Sequence, residues 1–240
     1  MTIQTKILKK YDFDTSEFEL AVNSFYENCG ITFYNKGDEI PKIDKKEAIA
    51  KSTKSFDNLI VKLVEIIKIC GQESKIREFG DIYATENDAP FTIPRANLNT
   101  EKTDIDITIG VFRGFYIATD LKYVNNIKSM PDKFWQLITK LTELGNFEFI
   151  EQNKITPDLR KKYSSLFKTR GNIYKLTRNY FINQLEYGFC DSLGTLRVSW
   201  NYDIDKADLI GKFIETFKIM YSINHMLWTI ENKITTANNV

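Results

Sequence analysis

One stretch constrains this chain more than any other: TDIDITIGVFRGFYIATDLKY, residues 103–123. Ile105, Ile107, Ile109 and Val111 alternate with Asp104, Asp106, Thr108 and Gly110. That is the period of a strand with one apolar and one polar face. Phe115, Ile117, Thr119 and Leu121 then alternate with Tyr116, Ala118, Asp120 and Lys122. A two-residue turn at Arg113-Gly114 would set Asp106 against Leu121 and mix the faces. A three-residue loop, Phe112-Arg113-Gly114 with the glycine left-handed, sets Asp106 against Asp120 and Asp104 against Lys122. A one-residue slip turns every side chain over, so hydrophobic consistency selects the longer loop. The sequence thus predicts Asp104, Asp106, Asp120 and Lys122 together on one small patch.

Directly opposed residues of such a pair have Cβ atoms about 4.5–5.5 Å apart, where like charges destabilise unless something compensates. A divalent cation would do so. Mg²⁺ takes few carboxylates and keeps several of its waters, which suits hydrolysis, and a neighbouring lysine adds positive charge. The plainer alternative is a cross-strand ion pair between Asp104 and Lys122, worth under about 1 kcal/mol.

Other chemistries are excluded by what the chain lacks. It has one histidine, His225, in the apolar stretch KIMYSINHMLW, which reads as a core or interface imidazole. Ser-His-Asp, Cys-His and multi-histidine metal sites need more partners. There is no GxSxG, GxxxxGK[ST] or GxGxxG motif. Cys29, Cys70 and Cys190 are scattered, with no CxxC pair, which argues against a thiolate zinc site or a disulfide framework. What remains is chemistry on carboxylates, lysine and a hard metal. The net charge of +1 rules out recruitment by bulk charge, though a local patch can still act. Lys154 to Arg178 is such a patch, with Arg160, Lys161, Lys162, Lys168, Arg170 and Lys175 between them and Asp158 as its one acid. Tyr163, Phe167 and Tyr174 interleave, a composition that suits a nucleic-acid backbone, although a solvated helix face has the same look. No apolar leader or membrane-length apolar run occurs, so a cytoplasmic protein is expected.

The remaining elements follow from local signals. Ser16 and Glu19 form a capping box for a helix ending at Gly30. A helix over residues 46–70 is closed by Gly71, and a strand spans 75–84. The two prolines of ENDAPFTIPRANLNTEK mark a loop. Met130-Pro131-Asp132 opens a helix to Leu144, and residues 147–152 form a strand. LEYGFCDSLGTLRVSWNY reads as a second hairpin about Asp191–Gly194. A last long helix starts near Asp205, with Leu209, Phe213 and Phe217 on one face. This is an α+β or mixed α/β pattern in a single domain over residues 1–240, with a C-terminal hairpin and long helix after the basic segment.

Asp106 followed by Asp120-Leu121-Lys122 resembles the signature of the PD-(D/E)xK nuclease superfamily, which includes many restriction endonucleases. The order of elements over residues 46–152 is similar to that family's core of helix, three strands, helix, strand. Ile105 stands where the signature has proline, and Asp120 where glutamate is usual. The resemblance implies a central mixed sheet flanked by helices, and a Mg²⁺-dependent endonuclease (Mn²⁺ substituting) acting on double-stranded DNA. Asp106 and Asp120 would hold the metal and Lys122 would assist the attacking water. Asp104, Glu78 and Gln136 would support them, and Lys161, Lys162, Lys168, Arg170, Lys175 and Arg178 would bind phosphates. A homodimer stays open. The same TDIDITI strand, with Phe79-Gly80-Asp81 before it, also resembles nucleotidyltransferases, in which an Asp104/Asp106 pair would hold two metals. A non-enzymatic binding module, of the immunity or anti-defence kind, is the third reading.

Overall fold

The computed structural model describes residues 3–33, 45–76, 80–85, 93–151, 156–168, 171–189 and 193–238. Helices α1 (Ile3–Lys10), α2 (Thr15–Phe33) and α3 (Lys45–Glu73) come first. Strands β1 (Ile82–Ala84), β2 (Arg95–Thr100), β3 (Ile105–Val111) and β4 (Phe115–Asp120) follow, then α4 (Asp132–Leu144) and β5 (Asn146–Glu151). The chain closes with α5 (Pro157–Lys162), α6 (Asn172–Tyr187), β6 (Gly194–Trp200) and α7 (Lys206–Asn238).

The fold is α+β, built on one six-stranded sheet in the order β1-β2-β3-β4-β6-β5. Every neighbouring pair is antiparallel, so the expected mixed sheet is corrected. β4 and β5 do run in the same direction, but β6 separates them.

Helices cover one face. Ile107, Ile109, Ile117, Leu196 and Val198 point into that layer and are fully buried. They meet Leu59, Leu63 and Ile66 of α3, Phe213 and Phe217 of α7, and Phe134 and Ile138 of α4 in one continuous core. Each such side chain contributes about 1.5–3 kcal/mol on burial. The β5 edge is closed by α6. Asn172 Nδ2 donates to Phe147 O at 2.7 Å, and Asn172 Oδ1 accepts from Phe149 N at 3.0 Å. A side-chain amide thus satisfies backbone groups that an open edge would leave free to pair with another chain. No described helix is long and apolar enough to cross a membrane.

Several elements depart from the sequence reading. The α2 cap is Asp14, whose Oδ1 accepts from Ser16 N at 2.8 Å and Glu17 N at 3.4 Å; the helix therefore starts ahead of the Ser16 box. α2 runs through Gly30 and α3 through the buried Gly71, so neither glycine stops its helix. The proline-flanked segment read as a loop contains β2. Its Ala96, Leu98 and Thr100 are buried and its asparagines face the other way. The expected second hairpin does not form. LEY ends helix α6, and β6 stands alone between β4 and β5. Its buried Leu196, Val198 and Trp200 require a neighbour on each side. His225 is exposed on α7, between the rings of Tyr221 and Trp228, so the core assignment is corrected.

Gly145 joins α4 to β5 directly beneath Trp200. A Cβ there would lie 2.5 Å from the indole Nε1. That nitrogen donates to Leu144 O at 2.7 Å, so the ring cannot withdraw without losing a buried hydrogen bond. Gly145→Ala is therefore expected to destabilise the protein by about 1–3 kcal/mol, read as a lower midpoint in urea unfolding.

Candidate functional site on the open sheet face

The β3–β4 hairpin has the register selected by hydrophobic consistency. Ile107 pairs with Thr119, Ile109 with Ile117 and Val111 with Phe115. The loop is Phe112-Arg113-Gly114, but its positive φ angles fall on both Arg113 (+52°) and Gly114 (+127°). Glycine is required at 114 for a second reason, since a Cβ would sit 2.3 Å from Trp200 O.

This register places the polar side chains on the face away from the helices, in three rows across the sheet. The first row runs Arg95, Gly110, Tyr116, Ser199, Asn146. The second runs Tyr83, Asn97, Thr108, Ala118, Arg197, Glu148. The third begins with Asn99 and Asp106, continues through Asp120 and Thr195 and ends at Ile150; extending the hairpin ladder by one residue sets Asp106 opposite Asp120.

At the third row Lys122 Nζ lies 2.8 Å from Asp106 Oδ2 and 2.9 Å from Asp104 Oδ2. Asn99 Nδ2 donates to Asp106 Oδ1 at 2.6 Å. Thr195 Oγ1 donates to Asp120 Oδ1. Partial burial works against charge on Lys122, but the hydrogen-bonded Asp106 and Asp104 outweigh it and hold its pKa above that of an ordinary lysine. Burial and the nearby Asp106 carboxylate likewise raise the Tyr83 phenol.

The site is held from beneath by a polar connection through the sheet. Thr119 Oγ1 faces the helix layer and donates to Asp106 O at 2.7 Å. Asn224 of α7 is buried and donates to Thr119 Oγ1 at 2.9 Å. The backbone around the patch is strained: Asp104 and Tyr123 both lie in the left-handed region, at φ +47° and +58°. For residues other than glycine this is uncommon and concentrates at functional sites.

The hairpin patch thus comes together as expected, with Asp104, Asp106 and Lys122 in contact and Asp120 beside them. Gln136 does not join it. It is exposed on the outer side of α4, near Trp135 and Lys140, because Phe134 and Ile138 of that helix turn to the core on the opposite face of the sheet. Glu78, Phe79 and Arg170 lie outside the described residues. Gly80 packs against the backbone of Asn99, and Asn99 N donates to Asp81 O at 3.1 Å, which sets this segment one strand away from Asp106.

The basic segment divides. Lys161 and Lys168 are exposed and Lys175 is half-buried. Lys162 is paired with Glu186 at 2.6 Å. Arg178 is buried, ion-paired with Glu151 and stacked on Phe167 at 4.1 Å. Arg178 ties α6 to the end of β5, while the Lys162–Glu186 pair joins α5 to α6 at the surface, with 59% of the Lys162 side chain exposed.

The sequence reading missed the arginines of the open face. Arg95, Arg113 and Arg197 come from different strands and loops, and only the register shows them together. The signal was the outward phase of each strand. Beside them is a cleft of about 630 Å³ lined by Arg113, Tyr116, Asn146, Arg197, Ser199 and Asp203 among others.

Among the described residues no group of three or more His, Cys, Asp or Glu is placed to hold a metal. No family model, curated protein or solved structure matches the chain.

Proposed function

We propose that the protein is a Mg²⁺-dependent phosphodiesterase of the nuclease type, working at Asp106, Asp120 and Lys122. The observation that carries this reading is the hairpin register, with two acids from adjacent strands on the face away from the described helices and a lysine 2.8 Å from one of them. The left-handed backbone at Asp104 and Tyr123 supports it.

Asp106 and Asp120 would hold the cation, which supplies charge for the phosphoryl oxygens and a bound water of lowered pKa. Asn99 and Thr195 orient the two carboxylates. Lys122 keeps its proton in this pairing and so acts as a donor to the developing negative charge rather than as a base. Thr119 and Asn224 fix the position of the Asp106 backbone.

The test is incubation with circular double-stranded and single-stranded DNA in Mg²⁺ or Mn²⁺. Asp120→Asn leaves shape and size intact and is expected to remove cutting by at least about 100-fold, the cost of losing one electrostatic partner of a transition state. Metal-dependent cutting unchanged in that variant would sink the assignment.

A second reading has an observation in its favour. Each of these carboxylates already has a partner in Lys122, Asn99 or Thr195. That is the arrangement of a binding module with an ion-paired surface, and absence of both cutting and Mn²⁺ binding would establish it.

A further inference from the structure

The open face carries a second feature, at the end of the sheet away from the acids. Tyr116 lies over Gly110, its cross-strand partner. A Cβ on that glycine would come within 2.5 Å of the Tyr116 Oη and 2.6 Å of Cζ. The ring is therefore laid along the sheet, over a residue with no side chain. Arg95 stands across from Gly110 in the same row, and Arg197 lines the cleft with Tyr116; burial raises the Tyr116 pKa, and the positive charges of the two arginines oppose the shift. Arg95 is exposed on β2. Arg197 pairs with Glu148 at 2.5 Å, and its Nε is buried without a partner. Arg113 is exposed at the hairpin tip, with Phe112 beside it at 5.6 Å.

Between this end and the acids the floor is small. Ala118 separates Tyr116 from Asp120 along β4, and Thr108 stands beside it. The result is a shallow track about 13 Å long, from four residues at about 3.3 Å each. An aromatic ring and arginines stand at one end and the acids with Lys122 at the other.

We infer that this track binds a single-stranded segment of nucleic acid, with an unpaired base stacked on Tyr116 and phosphates on Arg95, Arg113 and Arg197. Stacking on a side chain needs a base face that a duplex does not offer. Guanidinium groups match phosphate oxygens in pairs. The cleft beside Tyr116 has room for a nucleotide. The inference deepens the phosphodiesterase reading by naming its substrate, and it rests on that reading only for what happens at Asp106 and Asp120.

The test is fluorescence anisotropy in EDTA, so that no cutting occurs. The probes are labelled oligothymidylate and oligouridylate of about 12 nucleotides, within the span of known single-strand sites, and a duplex of the same length. The single strands are expected to bind more tightly than the duplex. Tyr116→Ala is expected to weaken them by about ten-fold or more, and Tyr116→Phe to restore most of the loss. Arg113→Ala, at an exposed loop tip where folding is not at stake, is expected to lower the salt dependence by about 0.7 in log-log slope. Duplex binding as tight as single-strand binding overturns the inference, as does single-strand binding indifferent to both Tyr116→Ala and Arg113→Ala. Displacement of the oligonucleotide by an equal concentration of mononucleotide overturns it too. Single-strand binding without metal-dependent cutting upholds the track and removes the phosphodiesterase reading. Cutting of duplex without single-strand binding does the reverse.

Discussion

Arg178→Ala is expected to lower stability by about 3 kcal/mol, the cost of removing one partner from a buried ion pair. Only 9% of the Arg178 side chain is exposed, and its partner Glu151, at the end of β5, is 20% exposed. The guanidinium also stacks on Phe167 at 4.1 Å. Its loss leaves the Glu151 carboxylate with only the more distant Arg160, 3.8 Å away, and frees the connection that carries α5 back to the sheet. At about 2–4 °C per kcal/mol for a chain of this size, the melting temperature should fall by about 6–12 °C. The penalty comes mainly from the charge that loses its close partner. Arg178→Met combined with Glu151→Gln should therefore recover most of it, since well-packed neutral replacements of buried pairs are often nearly neutral. Circular dichroism melts of the wild type and the two variants decide the matter. An unchanged melting temperature with weakened oligonucleotide binding would instead return Arg178 to the phosphate-binding role its sequence neighbourhood suggested.

The hairpin and helices α2, α3, α4 and α7 were legible in the sequence because their signals are local and redundant, whereas α1, α5 and α6 were not. Two alternating strands with one short loop admit one register that keeps Ile105 to Leu121 on a common face, and the structure has it. α4 was legible from Pro131-Asp132 and Gly145, and α7 from Asp205, whose Oδ1 accepts from Asp208 N at 2.9 Å. β2 was hidden because its outward residues are Asn97 and Asn99 between prolines and a turn, which imitates a loop. The single strand β6 was hidden for a different reason. Its partners β4 and β5 lie far from it in the chain, and no local pattern tells a strand that pairs with distant strands from one arm of a hairpin. Charge runs misled for a related cause. Arg178 looks like a solvent-facing cation until Glu151, 27 residues away, is brought against it, whereas Lys162 stays exposed in its pair with Glu186. The arginines of the open face share no run at all.

Lys122→Met should separate the two readings of the acidic patch most sharply. In the metal-free protein the change is expected to be small. Asp104, Asp106 and Lys122 keep 58%, 31% and 29% of their side chains exposed, and pairs of that kind contribute under about 1 kcal/mol. The pH dependence has a definite sign. The pKa of Lys122 is raised on folding, so its contribution is fully present below the unfolded lysine value of about 10.4 and is lost as pH rises through the higher folded value. The difference between wild type and variant should therefore be constant through neutral pH and vanish in strong alkali. With metal the effects are large and opposite in direction. The ammonium competes with a cation for Asp106, so Mn²⁺ should bind the variant more tightly than the wild type. The donor to the developing charge is gone, so cutting should fall by about 100-fold or more. Tighter metal binding together with lost cutting is an outcome that an ion-paired surface patch cannot produce, because such a patch has no metal to release and no rate to lose. Calorimetric titration with Mn²⁺ beside the cleavage assay reads both, and Mn²⁺ binding absent from both proteins would leave Asp104, Asp106 and Lys122 as an ion-paired surface.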